Sequence, residues 1–135
     1  MKKRSIAATQ AGASLLALTA GAMPAAQAQP TGRSPSCFRP GEMSGWRATP
    51  DAKALYVRVG ASHVYRLDLA DRCTALNEGG SHLNLRVHGS PSFCSPVDFD
   101  LSVSEGHGFS QPCIVSGMTE LSPDEAAALP RDLKP

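Results

Sequence analysis

The chain has 135 residues, with 13 Lys and Arg against 12 Asp and Glu, and a formal net charge of +1. Its one basic run is Lys2-Lys3-Arg4, and the rest of the chain carries 10 basic and 12 acidic residues, a net charge of −2. A nucleic-acid partner is disfavoured, because phosphate binding needs concentrated positive charge. The length fits a single domain.

Residues 1–28 have the organisation of a secretory signal peptide. The basic run Lys2-Lys3-Arg4 precedes a short apolar stretch, AGASLLALTAGAM, and Ala26-Gln27-Ala28 forms a small-x-small cleavage site. The apolar stretch is too short for a membrane span. We therefore predict cleavage after Ala28, no membrane anchor in the mature protein, and a periplasmic or secreted location.

The mature chain is predicted to consist of a polar leader, residues 29–36, and one disulfide-stabilised β domain, residues 37–135. The leader, QPTGRSPS, is rich in Pro, Ser and Gly and is expected to be flexible. Leu55–Val59 and His63–Leu69 flank a three-residue loop that contains Gly60, which is typical of a β-hairpin. This loop length places Val57 opposite Tyr65 and gives the hairpin one apolar face.

The other face of this hairpin carries Tyr56, Arg58 and Arg66. The register places Tyr56 opposite Arg66, with Arg58 diagonal to it, so an arginine can stack on the ring. These three residues form a candidate binding patch for an anion or a partner. The alternative, which we favour, is an ordinary cross-strand pair that covers the sheet.

Further alternating segments predict more short strands on either side of the hairpin. They are Ser44–Ala48, Leu83–Val87, Val97–Val103 and Cys113–Met118. Ser122 is a predicted helix N-cap, with Pro123 at the first helical position, Glu125 at the third and Pro130 as the stop. The predicted fold is all-β: a small antiparallel barrel or curled sheet of five to six strands, with a short C-terminal helix.

Four cysteines follow the predicted cleavage site, namely Cys37, Cys73, Cys94 and Cys113. An even count in a short exported chain predicts two disulfides, and the wide spacing disfavours a zinc site. Four cysteines allow three pairings. Sequence order favours Cys37–Cys73 with Cys94–Cys113, because each pair closes a loop of moderate length around contiguous strands.

Candidate catalytic groups are few. Asp98 and Asp100 share one face of a predicted strand, as paired carboxylates do in acid–base chemistry, but alternation explains them equally well as the solvent side of a sheet. His82 and His88 are about 20 Å apart along one strand, too far to share an ion. We predict no catalytic residue, no metal site and no cofactor.

The pattern of the mature chain resembles a family of small exported proteobacterial proteins known only as a domain of unknown function. The resemblance rests on the four cysteine positions and on the motifs Leu55-Tyr56-Val57, Tyr65-Arg66-Leu67, Phe93-Cys94-x-x-x-Asp98 and Cys113-x-Val115, together with Trp46, Leu76, Leu121 and Glu125. It departs from the expected pattern at Ser95-Pro96-Val97. The resemblance implies an exported fold with four cysteines, and it implies no activity.

The sequence favours a monomeric, non-enzymatic binding or accessory module of the periplasm or the extracellular space. Its partner would be an exported protein or a small ligand. One alternative is a small hydrolase that uses Asp98, Asp100 or a histidine. A second alternative is an inhibitor of a larger exported enzyme, acting through the loop Glu105–Gln111.

Overall fold

A computed structural model describes residues 36–106 and 108–135. Within these residues the chain forms seven strands and one α-helix: β1 (Met43–Ala48), β2 (Ala54–Val59), β3 (His63–Leu69), β4 (His82–Val87), β5 (Phe99–Ser104), β6 (Ser110–Cys113), β7 (Val115–Glu120) and α1 (Pro123–Ala128). They make a four-stranded sheet in the order β1-β2-β3-β7 and a three-stranded sheet in the order β4-β5-β6, both antiparallel.

The β2–β3 hairpin has the predicted register. Val57 lies opposite Tyr65, and Tyr56 lies opposite Arg66. Gly60 in the connecting loop has a φ of 58°, a left-handed conformation that glycine adopts without steric cost. The loop therefore fixes which side chains point inward.

The predicted barrel or single curled sheet is wrong, since the two sheets remain open and the described residues contain seven strands. The difference arises at Ile114, where the predicted strand Cys113–Met118 is divided between β6 of one sheet and β7 of the other. The Ile114 carbonyl accepts the Ala70 N–H at 2.9 Å, so the chain changes sheets at this residue. Local alternation does not reveal such a change.

The core lies between the inner faces of the two sheets. Leu55, Val57 and Leu67 from the four-stranded sheet pack in one cluster with Leu101 and Val103 from the three-stranded sheet. Four aromatic rings extend this cluster, with centroid separations of 4.3–5.4 Å: Phe38, Tyr65, Phe93 and Phe99. Rings at these separations add to the stabilisation that apolar burial provides.

The outer face of the four-stranded sheet is covered by the C-terminal residues 121–135. The Leu121 N–H donates to the Val64 carbonyl at 2.8 Å, and the other end of the segment lies against β1, where a Cβ at Gly45 would be 3.5 Å from Pro135. The segment thus crosses from the β7 edge to the β1 edge. Tyr56 and Val64 are buried on this face, which the hairpin pattern alone leaves to solvent.

Helix α1 in this segment begins and ends as predicted. The Ser122 hydroxyl accepts the Glu125 N–H at 3.2 Å, and the Glu125 carboxylate accepts the Ser122 N–H at 2.7 Å. These reciprocal bonds form a capping box, with Pro123 at the first helical position. The helix ends at Ala128, two residues before Pro130.

The described cysteines form the two expected disulfides, but the favoured pairing is wrong. The bonds are Cys37–Cys94 and Cys73–Cys113. Phe38 and Phe93 exchange backbone hydrogen bonds at 3.1 and 2.7 Å, which places Cys37 beside Cys94. Cys113 lies opposite Leu101 in the three-stranded sheet and meets Cys73 across the core. Neighbours in sequence are therefore not neighbours in space.

The predicted signal peptide and residues 29–35 of the predicted leader lie outside the described residues and stay predictions. In the part of the chain that the structure describes, no helix is long and apolar enough to cross a bilayer. The two disulfides are compatible with a periplasmic or extracellular location, because such bonds persist in oxidising compartments.

Candidate functional site

An open groove of about 830 Å³ lies on the three-stranded sheet and is the candidate functional site. Alternation along β4 and β5 turns Leu85 and Leu101 toward the core, where Leu101 is buried and Leu85 partly buried, and leaves Arg86 and Asp100 on the outer face. The residues that line this groove include Arg86, Pro96, Val97, Asp100, Pro112 and Ile114. We call this cavity the sheet groove.

Two aliphatic side chains in the sheet groove are unusually exposed. Val97 is 81% exposed and Ile114 is 69% exposed. Val97 belongs to a 3-10 turn, Pro96–Asp98, and Ile114 belongs to the crossing between the sheets. Single exposed apolar residues are common, but two that line one concave surface are typical of a site that contacts a ligand or partner.

The turn that carries Val97 is held by Asp98. The Asp98 carboxylate accepts the backbone N–H groups of Cys94 and Ser95, both at 2.8 Å. The carboxylate therefore stabilises the turn before β5, and Asp98 does not lie in the strand as the sequence predicted. The Cys37–Cys94 disulfide also fixes this segment, at its first residue.

The polar residues of the sheet groove include one arginine and one aspartate in facing positions. Arg86 lies opposite Asp100 in the β4–β5 register. The Asp100 Oδ2 atom, however, is 2.9 Å from His88 Nε2. Among the described residues no hydrogen bond or ion pair involves the Arg86 side chain, which leaves its guanidinium available.

A second polar cluster lies at the β3–β7 end of the four-stranded sheet, where four side chains form a hydrogen-bonded chain. Tyr65 Oη lies 2.5 Å from Ser36 Oγ, the Ser36 hydroxyl donates to Glu120 Oε2, and His63 Nδ1 is 2.6 Å from Glu120 Oε1. Burial raises the pKa of Tyr65, and the charges of Glu120 and Glu42 act in the same direction. Tyr65 thus stays protonated as a donor at neutral pH.

The order of groups in this cluster does not match nucleophilic catalysis. In such catalysis the serine hydroxyl is hydrogen-bonded to one nitrogen of the imidazole, and the carboxylate is hydrogen-bonded to the other nitrogen. Here the carboxylate of Glu120 stands between Ser36 and His63. The arrangement instead ties the residue before Cys37 to the edge of the sheet.

The predicted patch of Tyr56, Arg58 and Arg66 is only partly accessible. The Tyr56 ring is buried, and the Arg66 guanidinium lies 5.9 Å from its centroid. Arg66 also donates to Asp68 at 2.7 Å, and this hydrogen bond raises the pKa of Arg66. Arg58 is exposed. A binding role for these residues stays a prediction.

The other predicted candidates do not come together. Asp98 faces backbone amides and Asp100 faces His88, so the two carboxylates are held by different partners. Within residues 36–106 and 108–135, no group of three or more His, Cys, Asp or Glu side chains is placed to hold a metal ion. In the loop Glu105–Gln111, Phe109 is 75% exposed, and the inhibitor role of this loop stays a prediction.

Comparison with known proteins gives a family but no activity. A family model described as a family of unknown function, DUF6491, matches residues 1–134. The chain belongs to this family. The predicted membership of a family of unknown function is confirmed, whereas export and a proteobacterial origin stay predictions. No curated protein and no solved structure matches the chain.

In this DUF6491 protein the sheet groove is the feature that sequence analysis missed. The alternating pattern places Val97 in the predicted strand Val97–Val103 and Ile114 in the predicted strand Cys113–Met118. The available signal was the position of each aliphatic residue beside a proline-containing segment, Pro96-Val97 and Pro112-Cys113-Ile114. Proline interrupts a strand, so the alternation was not a sound guide to burial at these two positions.

Proposed function

We propose that the protein is an exported, non-enzymatic binding module and that the sheet groove holds its ligand. One observation carries the proposal: Val97 and Ile114 are both largely exposed and line the same groove of about 830 Å³. Sites for small molecules commonly measure about 300–1,000 Å³ and combine apolar walls with a few polar groups. A ligand that covers Val97 and Ile114 would bury the apolar surface that they now expose to water.

The sheet groove suits binding better than chemistry. Its one described carboxylate, that of Asp100, is paired with His88. A hydrolase needs a general base beside a nucleophile or a positioned water. The groove offers a surface for recognition and no such pair.

The binding proposal is tested with a neutral apolar fluorophore, N-phenyl-1-naphthylamine, titrated into the mature protein. Saturable binding is expected, and the double variant Val97→Ser/Ile114→Ser should weaken it about tenfold, because the two partly covered apolar side chains together contribute on the order of 1.5 kcal/mol. Phe109→Ser is the matched control, since Phe109 is equally exposed but lies outside the groove.

The control variant should bind the fluorophore as the natural protein does. Circular dichroism would establish that all variants keep the fold, which is expected because the changed side chains are exposed. Equal binding by the double variant and the natural protein would reject the sheet groove as the ligand site.

Export is tested by intact-mass measurement on protein recovered from the periplasm or the medium. The chain should begin at Gln29, because Ala26-Gln27-Ala28 is the cleavage site that the sequence predicts. Replacing Ala26 and Ala28 by bulkier residues should leave the precursor uncleaved. Recovery of residues 1–28 on the exported protein would contradict the prediction.

A further inference from the structure

Arg86 differs from two other arginines for which the structure gives partners. Arg66 donates to Asp68 at 2.7 Å. Arg47, beside a smaller cleft that contains Trp46, donates to the Trp46 carbonyl at 3.0 Å. Arg86 lines the sheet groove, and within the described residues no hydrogen bond or ion pair involves its guanidinium. Its five N–H donors are thus open to a ligand.

The carboxylate nearest to Arg86 in the register does not compete for it. Asp100 lies opposite Arg86 on β5, and oppositely charged side chains in such cross-strand positions ordinarily attract each other. The Asp100 Oδ2 atom lies instead 2.9 Å from His88 Nε2. His88 follows β4, and its backbone N–H donates to the Asp98 carbonyl at 2.8 Å. This hydrogen bond extends the β4–β5 pairing and places the imidazole beside Asp100.

We propose that the ligand of the sheet groove is a small organic anion. Its apolar body would contact Val97 and Ile114, and its carboxylate, sulfonate or phosphate group would accept hydrogen bonds from Arg86. This inference rests on the proposed binding function. Charge complementarity carries it, because an available guanidinium beside exposed aliphatic side chains matches a molecule with an apolar and an anionic part.

The size of the groove favours a small molecule over a protein surface. Its volume of about 830 Å³ lies within the range of sites for small ligands. A protein partner would instead need about 800 Å² on each side of the interface. A single concavity is lined by Arg86 on β4, by Val97 in the turn before β5 and by Ile114 at the sheet crossing.

The test compares two probes that share one ring system. N-phenyl-1-naphthylamine is neutral, and 8-anilinonaphthalene-1-sulfonate is the same skeleton with a sulfonate. The anionic probe should bind the mature protein about tenfold more tightly, since a hydrogen bond to a charged group is worth about that factor. Arg86→Gln should remove this advantage and leave the affinity for the neutral probe unchanged.

Arg131→Gln is the matched control, because Arg131 is an exposed arginine on the segment that covers the other sheet. It should leave both affinities unchanged. Asp100→Asn should raise the affinity for the anionic probe, because the substitution removes a negative charge from the groove. Comparison of Arg86→Gln with Arg131→Gln separates a direct role of Arg86 from a general effect of net charge.

Each result supports or overturns the inference. Equal affinity for both probes overturns it while the binding function stands, and failure to bind either probe overturns both. Equal losses in Arg86→Gln and Arg131→Gln would show non-specific attraction and also overturn it. A dimer, detected by sedimentation, that excludes both probes would assign the groove to a second copy of the chain.

Discussion

At the scale of single residues, two aspartates only two positions apart have different roles. The Asp98 carboxylate accepts two backbone N–H groups and holds the turn that carries Val97. The Asp100 carboxylate is exposed and contacts an exposed imidazole. A carboxylate of this kind accepts hydrogen bonds from backbone N–H groups that would otherwise have no acceptor within the turn. An exposed ion pair contributes little to stability, because water screens the attraction.

Asp98→Ala should therefore destabilise the protein by about 1–2 kcal/mol, as the loss of a capping side chain does. Asp100→Ala should change the free energy of unfolding by less than about 0.5 kcal/mol. Urea unfolding monitored by circular dichroism measures both. Similar losses in the two variants would contradict the assignment of Asp98 to the turn.

At the scale of elements, the sequence predicted what short-range geometry determines. The β2–β3 hairpin follows from a three-residue loop, and helix α1 follows from Ser122, Glu125 and two prolines. Both signals lie within a few residues of the structure that they specify. The predicted strands Ser44–Ala48 and Leu83–Val87 match β1 and β4 to within one residue at each end.

The division into two sheets was not predictable in the same way. The sheet that a strand joins depends on partners far away in the chain, and β7 pairs with β3 across more than 40 residues. The crossing at Ile114 leaves the local alternation almost unchanged. The sheet groove depends on this crossing and on the turn held by Asp98, so it could not be inferred before the two sheets were known.

At the scale of the whole molecule, one disulfide joins the two sheets and the other reinforces the bridge between Phe38 and Phe93. Cys73 follows β3 of the four-stranded sheet, and Cys113 ends β6 of the three-stranded sheet. Cys37 precedes the first strand, and Cys94 lies before β5. The sequence separations are 57 for the Cys37–Cys94 bond and 40 for the Cys73–Cys113 bond.

Non-reducing peptide mapping should recover Cys37 joined to Cys94 and Cys73 joined to Cys113. In the chain-entropy account, loops of these lengths give about 4 kcal/mol of stabilisation each, mainly by restricting the unfolded chain. A domain of this size has about 5–15 kcal/mol in total, so reduction should lower the melting temperature strongly. Replacing one pair by alanines should remove about half of the effect. A Cys37–Cys73 peptide would contradict the structure.

The open sheets also have a consequence for association between copies. A barrel has no free strand edges, whereas the described sheets end at β1, β4, β6 and β7. The ends of the sheets carry devices that discourage intermolecular strand pairing: Pro112 in β6 lacks an N–H donor, and the β1–β2 register is broken between Met43 and Gly45. Arg86 places a charge on β4. The chain thus keeps an open architecture without presenting flat apolar edges for aggregation.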